Sequence, residues 1–313
     1  MIGKQDEFLH EPEKKTNHVE SYRVSFLSKK DKLYGVSEFT WLSKRNIMEI
    51  EWSIILNDNR FQYENDLQLD GKLPQKVFSD SKFKYKIVKP LEKFELKLQN
   101  PDITADLMVK GIYPYYGFVP EKFDTSESSV QLQNTRLWNS YGQRCRISGD
   151  LQFKKGSQKG SRKKIDCIGF REHAWGDIYI PGISCRSRIT AHFRDMTIDM
   201  TYLELDNNAY SHGFISKRTG NIGIINVEME LVSFLKGQRV PYSTEFSYKD
   251  TQDDIDLLVS RAIYSEQLPV DSKVKKKYIR FRNFSDFTII GTNKKGTGIE
   301  EHLISMDKLK SLE

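Results

Sequence analysis

Cysteine is scarce in this chain: Cys145, Cys167 and Cys185 are the three in 313 residues. An odd number in no metal-ligand spacing argues against a disulfide-stapled secreted domain and fits a reducing compartment. Met1 to Asn17 is polar and lacks an apolar stretch of secretory-signal type. No apolar run approaches the roughly 20 residues of a membrane-spanning helix. Also absent are a Walker A loop, a Gly-x-Gly-x-x-Gly turn after a strand, a Gly-x-Ser-x-Gly elbow and a His-Glu-x-x-His pair. Charge of one sign has no strong excess, since 49 basic residues against 43 acidic ones leave +6. That bias is compatible with weak attraction to anionic lipid or nucleic acid, but a soluble surface with a small bias is the favoured reading. These absences give the expectation of a cytoplasmic protein, at most peripheral to a membrane, with no metal and no cofactor.

What is present has period two. The segment Ile47–Leu56 carries Met48, Ile50, Trp52, Ile54 and Leu56 on one face of an extended chain. The same alternation appears at Phe83/Tyr85/Ile87, Phe94/Leu96/Leu98, Ile103/Ala105/Leu107/Val109, Met196/Ile198/Met200/Tyr202, Val227/Met229/Leu231 and Ile255/Leu257/Val259. Turn residues punctuate these runs, among them Asn57-Asp58-Asn59, Asn100-Pro101-Asp102 and Asp206-Asn207-Asn208. Segments with helical periodicity are scarce, and aromatics make up 12% of the chain. The pattern predicts an all-β antiparallel protein whose many strands hide their edges in barrels or curled sheets.

A basic, Gly- and Ser-containing run, Lys154–Lys164, offers a natural break. It predicts a flexible tail at 1–18, a barrel over 19–160 and a second barrel over 161–313. The same run also fits a long hairpin loop within the first half. A second cluster, Lys273–Arg282, interleaves cations with aromatics. Nucleic-acid binding by such a pattern is weaker than the reading of a solvated edge strand protected by lysines, so no nucleic-acid partner is expected.

The most informative stretch is Gly169-Phe170-Arg171-Glu172-His173-Ala174-Trp175-Gly176-Asp177. In a strand, Arg171, His173, Trp175 and Asp177 share one face, with Glu172 on the other. Such a row of costly groups either braces a barrel wall or lines a site. For Arg171 and Trp175 a structural cation–π contact is the leading reading. For His173, Asp177 and Glu172 a structural and a catalytic role both stand. A carboxyl in an apolar cavity has its pKa raised and can donate a proton at neutral pH.

Gly169–Asp177 resembles the Gly-x-Arg-Asp-His-Ser-Trp-Gly signature of a tandem lipocalin-like superfamily. That superfamily includes carotenoid 1,2-hydratase-like and AttH-like proteins, tocopherol cyclases and a fungal survival-factor family. Glu20-Ser21-Tyr22 with Tyr34-Gly35, Lys89–Leu96, Leu235–Pro241 and Gly296–His302 are similar to further family segments, in matching order over residues 20–304. Glu172, Ala174 and His302 depart from the family's Asp, Ser and aromatic. The resemblance implies two lipocalin-like antiparallel barrels, or strongly curled sheets, in tandem and an apolar, isoprenoid- or lipid-like small-molecule partner. It also implies cofactor-independent acid–base chemistry, such as hydration, isomerisation or cyclisation, with non-catalytic lipid binding or transfer as the alternative. The catalytic candidates are Glu172, His173 and Asp177. The ligand-binding candidates are Arg171, Trp175, Tyr202, Tyr210, His192, His212, Phe214 and Trp41. Through the closing-strand resemblance they also include Glu301. His192 and His212 also lie in period-two strands, in a position to meet His173 across a barrel.

Overall fold

The computed structural model describes residues 2–11, 18–69, 74–118, 139–156, 159–177, 183–205, 208–234, 240–268, 270 and 278–311. Of the segments singled out above, residues 1, 12–17, 157–158, 206–207, 235–239 and 273–277 and the side chain of Asp177 lie outside the described residues. The chain divides into two compact units, Met1–Tyr179 and Ile180–Glu313. Among the described residues no helix is long and apolar enough to cross a membrane.

The first unit is a curled antiparallel sheet. Its strands are β1 (His18–Ser28), β2 (Leu33–Leu42), β3 (Ile47–Leu56), β4 (Asn59–Gln68), β5 (Val77–Ser79), β6 (Phe83–Lys89), β7 (Lys93–Gln99), β8 (Ile103–Gly111), β9 (Tyr116–Phe118), β10 (Asn139–Phe153) and β11 (Arg162–Asp177). Their spatial order is β4-β3-β2-β1-β11-β10-β8-β7-β6-β5, with β9 added on β10. Short turns connect most neighbours. Asn57 and Asp58, at φ 48 and 66, form the two-residue link from β3 to β4, the left-handed pair that matches strand twist in a tight hairpin. Alternate residues of most of these strands enter one core. It contains Trp52, Ile54, Phe94, Leu96, Leu98, Leu107, Val109 and Phe153, all without exposure. Burying each such side chain contributes about 1.5–3 kcal/mol.

The second unit is a closed barrel of β12 (Ile183–His192), β13 (Met196–Leu205), β14 (Asn208–Lys217), β15 (Gly220–Phe234), β16 (Pro241–Asp250), β17 (Ile255–Leu268), β18 (Tyr278–Ile289) and β19 (Lys295–Ser305). Pairing of β12 with β19 closes it, so no ladder edge is left open. The interior is layered. Ile189, Ala191, Ile198, Met200, Phe246, Leu258, Phe287 and Ile289 form one apolar cluster. Cys185, Ile304 and Leu309, the last from helix α1 (Met306–Ser311), form another. Between them runs a buried polar chain: Ser187 Oγ to His302 Nδ1 at 2.8 Å, His302 Nε2 to Glu300 Oε2 at 3.3 Å, and Ser285 donating to Glu300.

Three expectations are corrected. The division falls at 179/180, because β11 pairs with β10 and β1 of the first sheet; Lys154–Lys164 spans the β10–β11 hairpin connection. The N-terminal segment is not a free tail over its described part. Lys4–Glu7 forms a 3-10 turn, and Ile2, Glu7 and Leu9 are buried. Nor is the described part of the second cluster, Tyr278–Arg282, an edge: β18 lies between β17 and β19, and Arg282 is fully buried on Glu301 and Glu266.

Candidate functional site

The pairing of β1 with β2 and β11, and of β11 with β10, arranges the first unit's polar residues in rows. Trp41, Glu20, Trp175 and Asn139 are register partners across β2, β1, β11 and β10. The next row is Phe39, Tyr22, His173 and Tyr141, and the one after is Ser37, Val24, Arg171 and Gln143. Paired residues on antiparallel strands share a face, so Arg171, His173 and Trp175 all face the core as their spacing predicts. Gly169 heads the same face because a Cβ there would meet the Ser25 carbonyl at 2.5 Å and Ile147 at 2.7 Å.

His173 has no exposure, and its Nε2 lies 2.6 Å from Glu20 Oε1. Glu20 is equally buried and gathers three more contacts. His10 Nδ1 reaches Oε1 at 2.9 Å, the His10 amide donates to Oε2 at 2.9 Å, and His18 Nε2 lies 3.4 Å from Oε2. Burial alone would raise the Glu20 carboxyl, but the hydrogen bonds from His10, His173 and His18 outweigh it and hold the group well below the usual carboxylate range. The other ring nitrogen of His173, Nδ1, is buried and has no hydrogen-bond partner among the described residues. Tyr22 stacks on the imidazole at 3.9 Å, Trp175 tilts against it at 4.9 Å, and Tyr141 presents an edge at 5.4 Å.

Arg171 lies one pleat further along β11. Its Nη1 and Nη2 donate to the two oxygens of Glu7 at 2.7 and 3.1 Å, and Nε donates to Gln143 Oε1 at 3.2 Å. Glu7 also accepts the Leu91 amide at 2.7 Å, and both partners of the ion pair are buried. The guanidinium sits over Phe94 at 4.1 Å and Tyr141 at 4.9 Å. The expected contact with Trp175 is thereby replaced, because His10 stacks on that indole at 4.3 Å. Although burial alone would lower it, Glu7 keeps the Arg171 guanidinium charged, well above its ordinary pKa.

The other sequence candidates divide as follows. Trp41 joins the site beside Glu20, with its ring 5.8 Å from His18. Glu172 is half-buried on the opposite face, beside Arg23 of β1, so the structure does not bring it to His173. Tyr202, Tyr210, His192, His212, Phe214 and Glu301 belong to the second unit. There Tyr202 faces inward and donates to Glu204 at 2.8 Å. His192 and His212 alternate to the barrel's outward face together with Tyr210 and Phe214, so the barrel interior does not gather them as expected. His192 shares a hydrogen bond with Thr197 at 2.9 Å. Burial and then the Arg188 cation push His212 down to about 3. Glu301 accepts from Arg282 at 2.5 Å and Arg280 at 3.3 Å.

Sequence reasoning missed Glu7, His10, Tyr141 and Gln143, and read Glu20 and Tyr22 only as hairpin residues. The alternation of Glu20 and Tyr22 along β1 was a usable signal, whereas Glu7 and His10 lie in a segment with no periodicity. His10, Glu20 and His173 also place three donor atoms within 4.8 Å of one another, a set able to hold a metal ion. No local spacing reveals this set, because the three residues come from distant parts of the chain.

No curated protein sequence matches the chain. Solved structures do. A candidate AttH (NE1406) from Nitrosomonas europaea matches with TM-score 0.68 and 11% identity, covering 92% of both chains. CghA crystallised with Sch210972 gives 0.65 and 10%, covering 92% of this chain and 89% of the other. Kievitone hydratase from Nectria haematococca gives 0.62 and 11%, covering 92% and 89%. At these identities the likeness shows the fold, and it bears out the tandem lipocalin-like architecture read from the motif. A family model described as a domain of unknown function matches residues 3–259, and the chain belongs to that family, DUF7064.

Proposed function

We propose that the first unit binds an apolar, isoprenoid- or polyketide-like molecule and moves a proton on it through His173, in a hydration, isomerisation or cyclisation without a cofactor. The observation that carries this reading is the orphaned Nδ1 of a fully buried histidine whose Nε2 is held by an ionised glutamate. Glu20 accepts the Nε2 proton, which leaves Nδ1 as the atom that takes or returns a proton. Nδ1 therefore acts first as the base and gives the proton back at a second position, and the neutral carboxylic-acid donor first considered is replaced because Glu20 is kept charged. Tyr141 and Trp175 line the imidazole with aromatic surface, while both faces of Tyr22 are taken by His173 and Phe39. The similar folds of CghA and kievitone hydratase support a small-molecule reaction on this scaffold. Unpaired Cys145, Cys167 and Cys185 agree with a reducing compartment.

The test is turnover of candidate terpenoid and polyketide substrates by purified protein. Glu20→Gln and His173→Ala are expected to lower kcat by about 10²–10⁴, with Glu172→Gln within a few-fold of wild type. Retained rates in both site variants would refute the assignment. A bound lipid with no turnover of any candidate would favour the carrier alternative.

A further inference from the structure

The ion pair of Arg171 with Glu7 has an unusual origin. The cation is fixed on β11, in the middle of the first sheet, and Gln143 and Tyr141 of the neighbouring β10 orient it, with Tyr141 Oη 3.3 Å from Nη1. The anion arrives from outside the sheet, on a four-residue 3-10 turn close to the N-terminus. Three donors from a fixed strand and a turn, namely two guanidinium N–H groups and the Leu91 amide, surround the Glu7 carboxylate, and Tyr141 Oη accepts from Nη1 of the guanidinium. Planar, bidentate geometry of this kind recognises any carboxylate, and the aromatic rings of Phe94 and Tyr141 flank it. The same N-terminal segment also supplies His10, which caps Trp175 and bonds Glu20. One short segment therefore contacts both the Trp175 row and the Arg171 row of the site.

We propose that Arg171 is a carboxylate-binding subsite, filled in this structure by Glu7 of the chain's own N-terminal segment. The ligand of the first unit is then an apolar molecule bearing a carboxylate, and it enters by displacing residues 2–10. Removing Glu7 leaves a buried cation uncompensated, so the occupant that replaces it must be anionic. With its acid group on Arg171, such a ligand has its carbon skeleton beside Tyr141, whose ring lies 5.4 Å from His173. The inference rests on the first unit being the ligand site, and it does not need the proton chemistry.

The probe is cis-parinaric acid, a fluorescent polyene fatty acid, with its methyl ester as the uncharged control. The full-length Glu7→Gln protein is expected to bind the acid about tenfold more tightly than wild type, with the ester unchanged. Adding Arg171→Met to Glu7→Gln removes the preference for acid over ester, and His173→Ala keeps it. In wild type, whose folding is not in question, saturating acid is expected to open the bond after Lys4 to trypsin, while the ester leaves it protected. Equal binding of acid and ester by Glu7→Gln, a preference that survives Arg171→Met, or no acid binding and unchanged cleavage in wild type would each overturn the proposal. Arg171-dependent acid binding with no turnover would sink the catalytic reading alone. Turnover of a neutral substrate with no acid preference would sink the subsite alone.

Discussion

Glu20 Oε1 and His173 Nε2 lie 2.6 Å apart, and neither side chain has any exposure. The two residues are 153 positions apart in sequence and sit one register step apart on neighbouring strands, since Tyr22 is the partner of His173 and Glu20 that of Trp175. A carboxylate at this depth is tolerable only because four hydrogen bonds from three histidines satisfy it.

Acid should therefore weaken the fold through Glu20. Its folded pKa is depressed below the ordinary 4.5, so its contribution is complete above that pH and is lost as pH falls toward the folded value. Urea midpoints measured against pH are expected to drop below about pH 4.5 in wild type. Glu20→Gln should be less stable at neutral pH and show a flatter acid limb. Parallel limbs in the two proteins would contradict the contribution.

Breaking the Arg171–Glu7 pair from either side leaves a buried charge. Arg171→Met is expected to cost about 3–5 kcal/mol in denaturant unfolding. The loss in the double variant with Glu7→Gln should fall short of the sum of the two single losses by about 0.5–3 kcal/mol. Additive losses would show that the two groups do not interact.

His212 titrates in a separate window. Burial and Arg188 depress its folded pKa from 6.5 to about 3. Stability from the neutral ring is present above 6.5 and declines as pH falls from there toward 3. A His212→Gln variant should lose that slope, and NMR titration of the imidazole should show no protonation near pH 6.5.

Gly169→Ala tests the sheet's close approach beneath the motif. The added methyl meets backbone at 2.5 Å and Ile147 at 2.7 Å. A loss of about 1–3 kcal/mol by thermal or chemical unfolding is expected, with Gly160→Ala as a comparison at a turn with open space but positive φ.

Much of the architecture was legible. The period-two runs at 47–56, 83–89, 93–99 and 103–111 are strands β3, β6, β7 and β8, since alternation is what a half-buried strand requires. The common face of Arg171, His173 and Trp175 was equally readable. The boundary near 160 was not, because a basic Gly-Ser run has the same composition in a hairpin as in a linker. Arg280 and Arg282 misled for a related reason: cations on a strand look solvated until their carboxylate partners, here Glu266 and Glu301, are placed.

Sequence alone determined the strand class, the motif's orientation and the resemblance that led to the fold, because side-chain alternation and short motifs are local properties. Tertiary structure alone decided which carboxylates meet Arg171 and His173. Glu7 and Glu20 reach them through pairings and contacts spanning 164 and 153 residues. Burial energies select such long-range partners only once the whole sheet has closed around them.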